Sequence, residues 1–281
     1  MTSTVVCGIV LVLIAPLIGR SEMPGTACAS TLFSQSASEE LLRSFSSKDI
    51  SFLLLDARTG EVIASRWDHP ETPIALGSLA KPFAAIAYGE HHEFRFPTHT
   101  CRGTASGCWR PQGHGALNLS SAITYSCNSY FRVLAADLNS SEVSATARQF
   151  GLEPPAGGTS GAALAGLGPE WRTSPAHMAQ AYLELLRERQ QPEVNQILDG
   201  MANSAHHGTA SEVDRALRRG RALAKTGTAP CTHTPHAPGD GFTIALFPAD
   251  NPRLLLMVRV HGVPGSVAAR TAGQMLQRIG G

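Results

Sequence analysis

The spacing of hydrophobic and polar positions changes character along the chain. Ile50 to Ala57 and Glu61 to Ser65 have the short apolar pattern of strands, and Arg58-Thr59-Gly60 between them fits a tight hairpin. From about residue 73 to residue 201 the spacing is helical. The main helical candidates are Ser78 to Tyr88, Ser120 to Leu138, Ser141 to Phe150 and Pro175 to Arg187. Strand patterns return at Ala222 to Thr228, Phe242 to Phe247 and Arg253 to His261, before a last helix from Ser266 to Arg278.

Strands at both ends and helices in the middle predict an α+β fold. The expected architecture is an antiparallel sheet that is built from both chain ends and flanked by helices. A mostly helical subdomain is expected to be inserted at about residues 73–201. The cleft between the two parts is the natural place for a site.

The segment before the fold is expected to direct export. Val5 to Gly19 is a nearly unbroken apolar run, shorter than the ~18 apolar residues that a membrane span needs. Residues 1–29 are therefore predicted to be a signal peptide, cleaved at Ala27-Cys28-Ala29, or an uncleaved membrane anchor. A helix that is buried in the fold is a third interpretation. The Ser-rich residues 30–48 are interpreted as a tether that leads into a short amphipathic helix. The catalytic domain is predicted to cover residues 49–281.

The composition excludes some classes of binding partner but does not identify one. A formal net charge of +1, with both signs spread along 281 residues, provides no footprint for nucleic acid or an anionic membrane surface. If Cys7 leaves with a signal peptide, an odd number of cysteines remains, so at least one thiol stays unpaired. Cys101 and Cys108 are the best disulfide candidates, and two unpaired thiols are an equal alternative.

The first chemical motif is Ser78-Leu79-Ala80-Lys81, which opens a predicted helix after Gly77. This spacing places the Lys81 amine one turn from the Ser78 hydroxyl, on the same helix face. A serine is a weak nucleophile until a base takes its proton, and lysine is a base only when burial or nearby cations keep it neutral. The chain has 20 Arg but only three Lys, and two of those lie in the motifs described here. Since arginine does not deprotonate, the retained lysines indicate a need for an amine.

Two further motifs complete the set. Ser126-Cys127-Asn128 begins a helical stretch and offers a hydroxyl for proton relay and an amide that can hold a substrate. Lys225-Thr226-Gly227-Thr228 lies on a predicted strand, where glycine often marks a close backbone approach. Such an edge can pair with an extended peptide while lysine and threonine bind its carboxylate. Each motif alone is compatible with an ordinary structural role, so the interpretation depends on their order and spacing.

In that order and spacing the motifs resemble the SxxK, SxN and KTG motifs of penicillin-binding proteins and serine β-lactamases. Leu55 to Val62 is similar to the first hairpin of this family, and Gly77 to Phe83 to its nucleophile helix. Gly113-His114-Gly115, Thr173-Ser174-Pro175 and Gly208-Thr209-Ala210 are similar to segments of the transpeptidase domains within it. The resemblance implies a β-lactamase/transpeptidase-like fold.

The resemblance also implies a function, that of a peptidoglycan D,D-transpeptidase-like serine acyltransferase. Such a protein forms an acyl-enzyme with D-Ala-D-Ala stem peptides and binds penicillin covalently. The implied catalytic residues are the nucleophile Ser78, the base Lys81 and the proton relay Ser126. The implied substrate-binding residues are Asn128, Lys225, Thr226, Gly227 and Thr228. The backbone N–H groups of Ser78 and Thr228 would form the oxyanion hole.

Partners and alternatives follow from the same resemblance. The expected partners are peptidoglycan stem peptides, β-lactams as covalent inhibitors and other cell-wall assembly proteins, at the periplasmic or outer face of a bacterial cytoplasmic membrane. No cofactor and no metal is expected, because His233 and His236 lie in a Pro-rich loop without a completing ligand set. The alternatives are a D,D-carboxypeptidase or β-lactamase, and a non-catalytic β-lactam sensor or assembly scaffold.

Overall fold

The computed structural model describes residues 24–231 and 238–280, with side chains from residue 32 onward. The strands are β1 (Ile50–Asp56), β2 (Val62–Arg66), β3 (Ile74–Ala75), β4 (His99–Cys101), β5 (Gly115–Leu117), β6 (Arg172–Thr173), β7 (Leu223–Ala229), β8 (Asp240–Phe247) and β9 (Leu254–Val260). The helices are α1 (Pro24–Ser44), α2 (Lys81–His91), α3 (Leu119–Thr124), α4 (Asn128–Ala136), α5 (Ser140–Gln149), α6 (Pro175–Arg187), α7 (Pro192–His207), α8 (Ser211–Ala216) and α9 (Gly265–Arg278).

One five-stranded antiparallel sheet joins the two ends of the chain in the order β2-β1-β9-β8-β7. This order confirms the predicted α+β fold, in which both chain ends contribute to one sheet. Because α2 to α7 lie between β2 and β7 in the chain, the helical insertion is also confirmed. The strand β7 lies at the edge of the sheet, which leaves one of its sides open toward the insertion.

The sheet separates two hydrophobic cores. Along β1, Leu53 and Leu55 pack with the helical insertion, whereas Phe52 and Leu54 pack with the core that contains α9. Alternate residues of a strand point to opposite faces, so a strand that is buried on both faces needs an unbroken apolar run. This explains why β1, β8 and β9 lack the alternating pattern of a half-exposed sheet.

The N-terminal segment differs from the predicted tether. Residues 24–44 form α1, and Ala37 and Leu41 are buried in the core that contains α9, with Phe45 packed against it. These apolar residues recur every four positions, a helical stripe that the Ser-rich composition obscured. The predicted signal peptide or anchor falls largely on residues 1–23, outside the described residues. Among the described residues, no helix has the length and hydrophobicity to cross a membrane.

The predicted helix from Ser120 to Leu138 is wrong in one respect, because it is two helices. α3 ends at Thr124 and α4 begins at Asn128. Between them Ser126 has a φ of 48°, in the left-handed region that non-glycine residues seldom adopt. The break therefore coincides with the second sequence motif.

Candidate active site

The nucleophile candidate lies where the helical insertion meets the sheet. Ser78 is part of a short 3-10 helix, Gly77–Ala80, which runs directly into α2. Gly77 has a φ of 58°, and a Cβ at this position would lie 2.3 Å from the carbonyl oxygen of Thr228. A Cβ at Gly227 would likewise lie 2.5 Å from a backbone oxygen of the segment before Ser78. Glycine at both positions therefore lets the two backbones touch, which brings Ser78 beside β7.

Lys81 is the first residue of α2, and its side chain is fully buried. Its amine donates hydrogen bonds to the Ser126 carbonyl oxygen at 2.7 Å, to Asn128 Oδ1 at 2.7 Å and to Ser126 Oγ at 3.3 Å. Burial lowers the pKa of Lys81 to about 7, although the electrostatic influence of the neighbouring Cys127 and Cys108 opposes this shift. A substantial fraction of the amine is therefore neutral near pH 7.

The second buried amine belongs to Lys225 on β7. It donates to Ser126 Oγ at 2.9 Å and to the Thr226 carbonyl oxygen at 2.7 Å. Burial, followed by the charge of Lys81, lowers the pKa of Lys225 well below its usual range. The acceptors that the described residues offer the two amines are uncharged oxygens, so two full charges here would be uncompensated. We therefore expect at least one of the two amines to be neutral near pH 7.

The Ser126 hydroxyl lies between these amines because of its backbone. The Ser126 N–H donates to the Ile123 carbonyl oxygen at 3.1 Å, and the Cys127 N–H donates to that of Ala122 at 2.9 Å. These bonds hold the turn in its left-handed conformation. Such a conformation costs about 1–3 kcal/mol and persists where the surrounding structure imposes it, which is common at functional sites.

Threonine hydroxyls extend the site along β7. Thr226 Oγ1 donates to Thr209 Oγ1 at 2.7 Å, and Thr228 Oγ1 accepts from the Gly265 N–H at 3.0 Å. The sequence motifs did not include Thr209 among the site residues. The similarity of Gly208-Thr209-Ala210 to transpeptidase segments was the available signal for it.

An open cleft of about 730 Å³ runs between the sheet and the insertion. Six of the eight predicted site residues line it: Ser78, Ser126, Asn128, Thr226, Gly227 and Thr228. The other two, Lys81 and Lys225, are fully buried and bonded to Ser126. The structure thus brings all three motifs together in one place.

A family model of the penicillin-binding protein transpeptidase domain matches residues 50–277. The chain belongs to the penicillin-binding protein transpeptidase family. The match covers the sheet, the helical insertion and the cleft. A search of the curated proteins finds no sequence that matches this chain.

Solved structures of this family have the same fold. PBP2 of Pseudomonas aeruginosa, solved in complex with WCK 5153, has a TM-score of 0.70 at 18% identity, over 88% of this chain and 74% of that one. The transpeptidase domain of penicillin-binding protein 3 from Burkholderia pseudomallei has a TM-score of 0.68 at 17% identity, over 89% and 93%. PBP2 of Helicobacter pylori in complex with MreC has a TM-score of 0.69 at 17% identity, over 86% and 62%.

Next to the SxN motif of this transpeptidase domain lies a group of potential metal ligands that the sequence interpretation did not foresee. Cys101, Cys108, His114 and Cys127 place one ligand atom each within 4.8 Å of the others. The three cysteines are buried and are not joined by disulfides, so the suggested Cys101–Cys108 bond is absent. The sequence signal was Cys127 inside one motif and His114 inside another. The histidines considered instead, His233 and His236, lie outside the described residues.

Proposed function

We propose that this chain is a peptidoglycan D,D-transpeptidase-like serine acyltransferase that forms an acyl-enzyme through Ser78. Membership of the family supports a D,D-transpeptidase-like function. The observation that carries the finer proposal is the convergence of two buried amines on the Ser126 hydroxyl, beside Ser78 in one cleft. We further propose that penicillin acylates the same serine.

In the acylation step, neutral Lys81 accepts the proton of the Ser78 hydroxyl as Ser78 Oγ bonds to the carbonyl carbon of the penultimate D-Ala. Negative charge then develops on the carbonyl oxygen, where the backbone N–H groups of Ser78 and Thr228 donate hydrogen bonds. The proton moves from Lys81 through Ser126 to the nitrogen of the terminal D-Ala. The C–N bond breaks, and the amine leaves with that proton.

Substrate binding uses the open side of β7. An extended peptide can add a strand at this edge, with backbone hydrogen bonds for affinity. The Thr226 and Thr228 hydroxyls and the charge of Lys225 bind the terminal carboxylate, and Gly227 permits the close approach of backbone. Asn128 holds an amide of the stem peptide. These roles are supported by the positions of Asn128, Thr226, Gly227 and Thr228 in the lining of the cleft, and by the hydrogen bonds that join buried Lys225 to Ser126 and Thr226.

The acyl-enzyme is then released by an amine of a second stem peptide or by water. Among the described residues that line the cleft, the carboxylate is that of Glu212, which is paired with Arg215 and Arg270. A carboxylate engaged in this way is a poor base for activating water. This observation favours aminolysis over a β-lactamase reaction, and a D,D-carboxypeptidase remains the alternative enzyme.

Two features support the proposed setting outside the cytoplasm. The apolar run from Val5 to Gly19 has the length of a signal-peptide core, which is consistent with export. The similar PBP2 of Helicobacter pylori has been solved in complex with MreC. We propose that the chain works on peptidoglycan at the outer face of the cytoplasmic membrane, together with other cell-wall assembly proteins.

Labelling with a fluorescent penicillin tests this function. The purified protein is expected to take up one equivalent, and mass spectrometry of its digest is expected to place the adduct on Ser78. The adduct should persist, because the cleft offers no unpaired carboxylate among the described residues that line it to activate water. Rapid release of hydrolysed penicillin would instead indicate a β-lactamase. A folded protein that takes up no label would be the non-catalytic assembly scaffold.

The rate of acylation is expected to rise with pH and to be half-maximal near pH 7, the pKa to which burial lowers Lys81. Below that pH the amine is protonated and accepts no proton from Ser78. The measurement is the second-order rate constant for penicillin labelling between about pH 5.5 and pH 8.5, with circular dichroism to confirm an unchanged fold. A flat profile across this range would contradict the assignment of Lys81 as the base.

A further inference from the structure

We propose that Cys101, Cys108, His114 and Cys127 bind one zinc ion, which fixes the turn that carries Ser126. Three sulfurs and one imidazole nitrogen form a common ligand set of structural zinc sites. Binding of the metal is independent of the catalytic proposal. Only the effect of the metal on acylation rests on the proposed function.

The distances between the ligand atoms match a zinc tetrahedron. Zinc–sulfur bonds of about 2.3 Å and zinc–nitrogen bonds of about 2.0 Å place two sulfurs about 3.8 Å apart and a sulfur about 3.5 Å from the nitrogen. In the structure, Cys108 Sγ lies 3.8 Å from Cys127 Sγ and 3.5 Å from His114 Nδ1. Cys101 Sγ lies 3.6 Å from His114 Nδ1. Three of the pairwise distances therefore match a zinc tetrahedron, and all four ligand atoms lie within 4.8 Å of one another.

The geometry distinguishes this arrangement from a disulfide. A disulfide requires two sulfurs about 2.05 Å apart and leaves the remaining ligand atoms without a common partner. Cys101, Cys108 and Cys127 are instead separate thiols that all approach one nitrogen or one another. Weak thiol hydrogen bonds link these atoms in pairs, whereas a cation at the centre would bind all four of them at once.

The local backbone is shaped to bring the ligands together. Cys101 ends β4, and His114 immediately precedes β5, which pairs with it. Between them the chain closes tightly: Gly103 and Gly113 have φ values of 72° and 78°, and a Cβ at Gly113 would lie 2.2 Å from the Cys101 carbonyl oxygen. Glycine at these two positions permits this close contact. The loop between them folds back, so that the Cys108 side chain joins the group of four ligand atoms.

The fourth ligand connects this loop to the active site. Cys127 is the N-cap residue of α4, a position that favours Ser, Thr, Asp or Asn, yet its side chain makes no capping hydrogen bond. It is fully buried and faces Cys108. A cysteine that is unsuited to capping but suited to zinc therefore lies between Ser126 and Asn128, the two residues that contact Lys81.

The site is closed, since four protein ligands complete the tetrahedron and leave no position for water. Such a site is structural, and it does not activate a nucleophile. It would join the β4–β5 loop to the turn at residues 125–127 and so hold Ser126 in its left-handed conformation. Zinc would position Ser126 and Asn128 without touching the substrate.

Metal analysis of the purified protein tests the proposal. Protein produced with added zinc chloride and dialysed is expected to retain one zinc per chain at the four-ligand site. Cys108→Ser is expected to lose that equivalent. Cys231→Ser is the matched control, because Cys231 is also a buried cysteine but lies in a different group, with Asp240 and His261. Zinc content in Cys108→Ser equal to that of the wild type would overturn the proposal.

A spectrum of the wild-type protein makes the test independent of whether the variants fold. With cobalt chloride in place of zinc, three thiolate ligands in a tetrahedral site should produce intense visible d–d bands and a near-ultraviolet thiolate-to-cobalt band. Weak octahedral bands, or a Cys101–Cys108 disulfide found by mass spectrometry of a non-reduced digest, would refute the site.

Penicillin labelling then separates the two proposals. Removal of zinc from the wild type by a chelator is expected to lower the acylation rate by about tenfold to a hundredfold, and zinc chloride is expected to restore it. Ser78→Ala should bind zinc normally without any label. A zinc-binding protein that is never labelled would refute the catalytic proposal alone, whereas a labelled protein without zinc would refute the metal site alone.

Discussion

The variant Ser78→Ala is expected to lose all covalent labelling by penicillin, because it removes the oxygen that is proposed to form the ester. Ser78 lines the cleft in the short 3-10 helix that precedes α2, beside β7. The neighbouring hydroxyl of Ser126 cannot replace it. Ser126 is buried, and its hydroxyl oxygen is hydrogen-bonded to two amines, so this oxygen is not free to attack the carbonyl carbon of a substrate.

The measurement for Ser78→Ala is the mass of the intact protein after prolonged incubation with penicillin. Ser266→Ala is the matched control, since Ser266 is an exposed serine that lines the rim of the same cleft. That control should be labelled at the wild-type rate. Because alanine is smaller than serine and removes one oxygen only, Ser78→Ala should melt within a few degrees of the wild type. A labelled Ser78→Ala protein would show that another residue is the nucleophile.

The variant Lys81→Met is expected to lower the acylation rate by about 10²- to 10⁴-fold, the usual contribution of a general base. Methionine has a similar length and no charge, so it fills the buried space without a new ion to desolvate. The substitution removes the hydrogen bonds that the Lys81 amine donates to the Ser126 carbonyl oxygen and to Asn128 Oδ1. We expect this loss to cost about 1–3 kcal/mol of stability. The variant should still fold, but its acylation step should be much slower.

Stopped-flow or gel-based kinetics of penicillin labelling measure this effect, and thermal melting measures the stability. Lys48→Met is the matched control because Lys48 is exposed and lies outside the cleft; it should acylate like the wild type. Lys81→Arg should be at least as slow as Lys81→Met, since arginine stays protonated and forces a charge into the site. Acylation within threefold of the wild-type rate in Lys81→Met would indicate a different base.

Local patterning predicted the main elements well because each of them extends over several periods. The helix Pro175–Arg187 has the bounds expected from its sequence, and β8 and β9 differ from the expected strands by no more than two residues at either end. The helix predicted over 120–138 was wrong at its centre. There a single residue, Ser126, adopts a conformation that local propensity disfavours. Functional sites are where such disagreement is expected.

The prediction of a tether in the N-terminal segment was wrong for a different reason. Serine-rich composition predicted a tether, but Ala37 and Leu41 are buried against the face of the sheet that carries α9. Two or three apolar residues are enough to pack a helix against a surface that the rest of the fold already provides. The sequence shows that stripe, but it does not show the surface that covers it.

By itself, the sequence determined the fold class, the location of three motifs and the choice of lysine over arginine in two of them, because each is a local property of the chain. Only the tertiary structure decided that two amines share the Ser126 hydroxyl, and that burial lowers the pKa of each. It alone also showed that Cys101, Cys108, His114 and Cys127 meet around one point. These properties depend on distances between residues that lie far apart in the chain, and on water excluded by the whole fold, neither of which a local pattern contains.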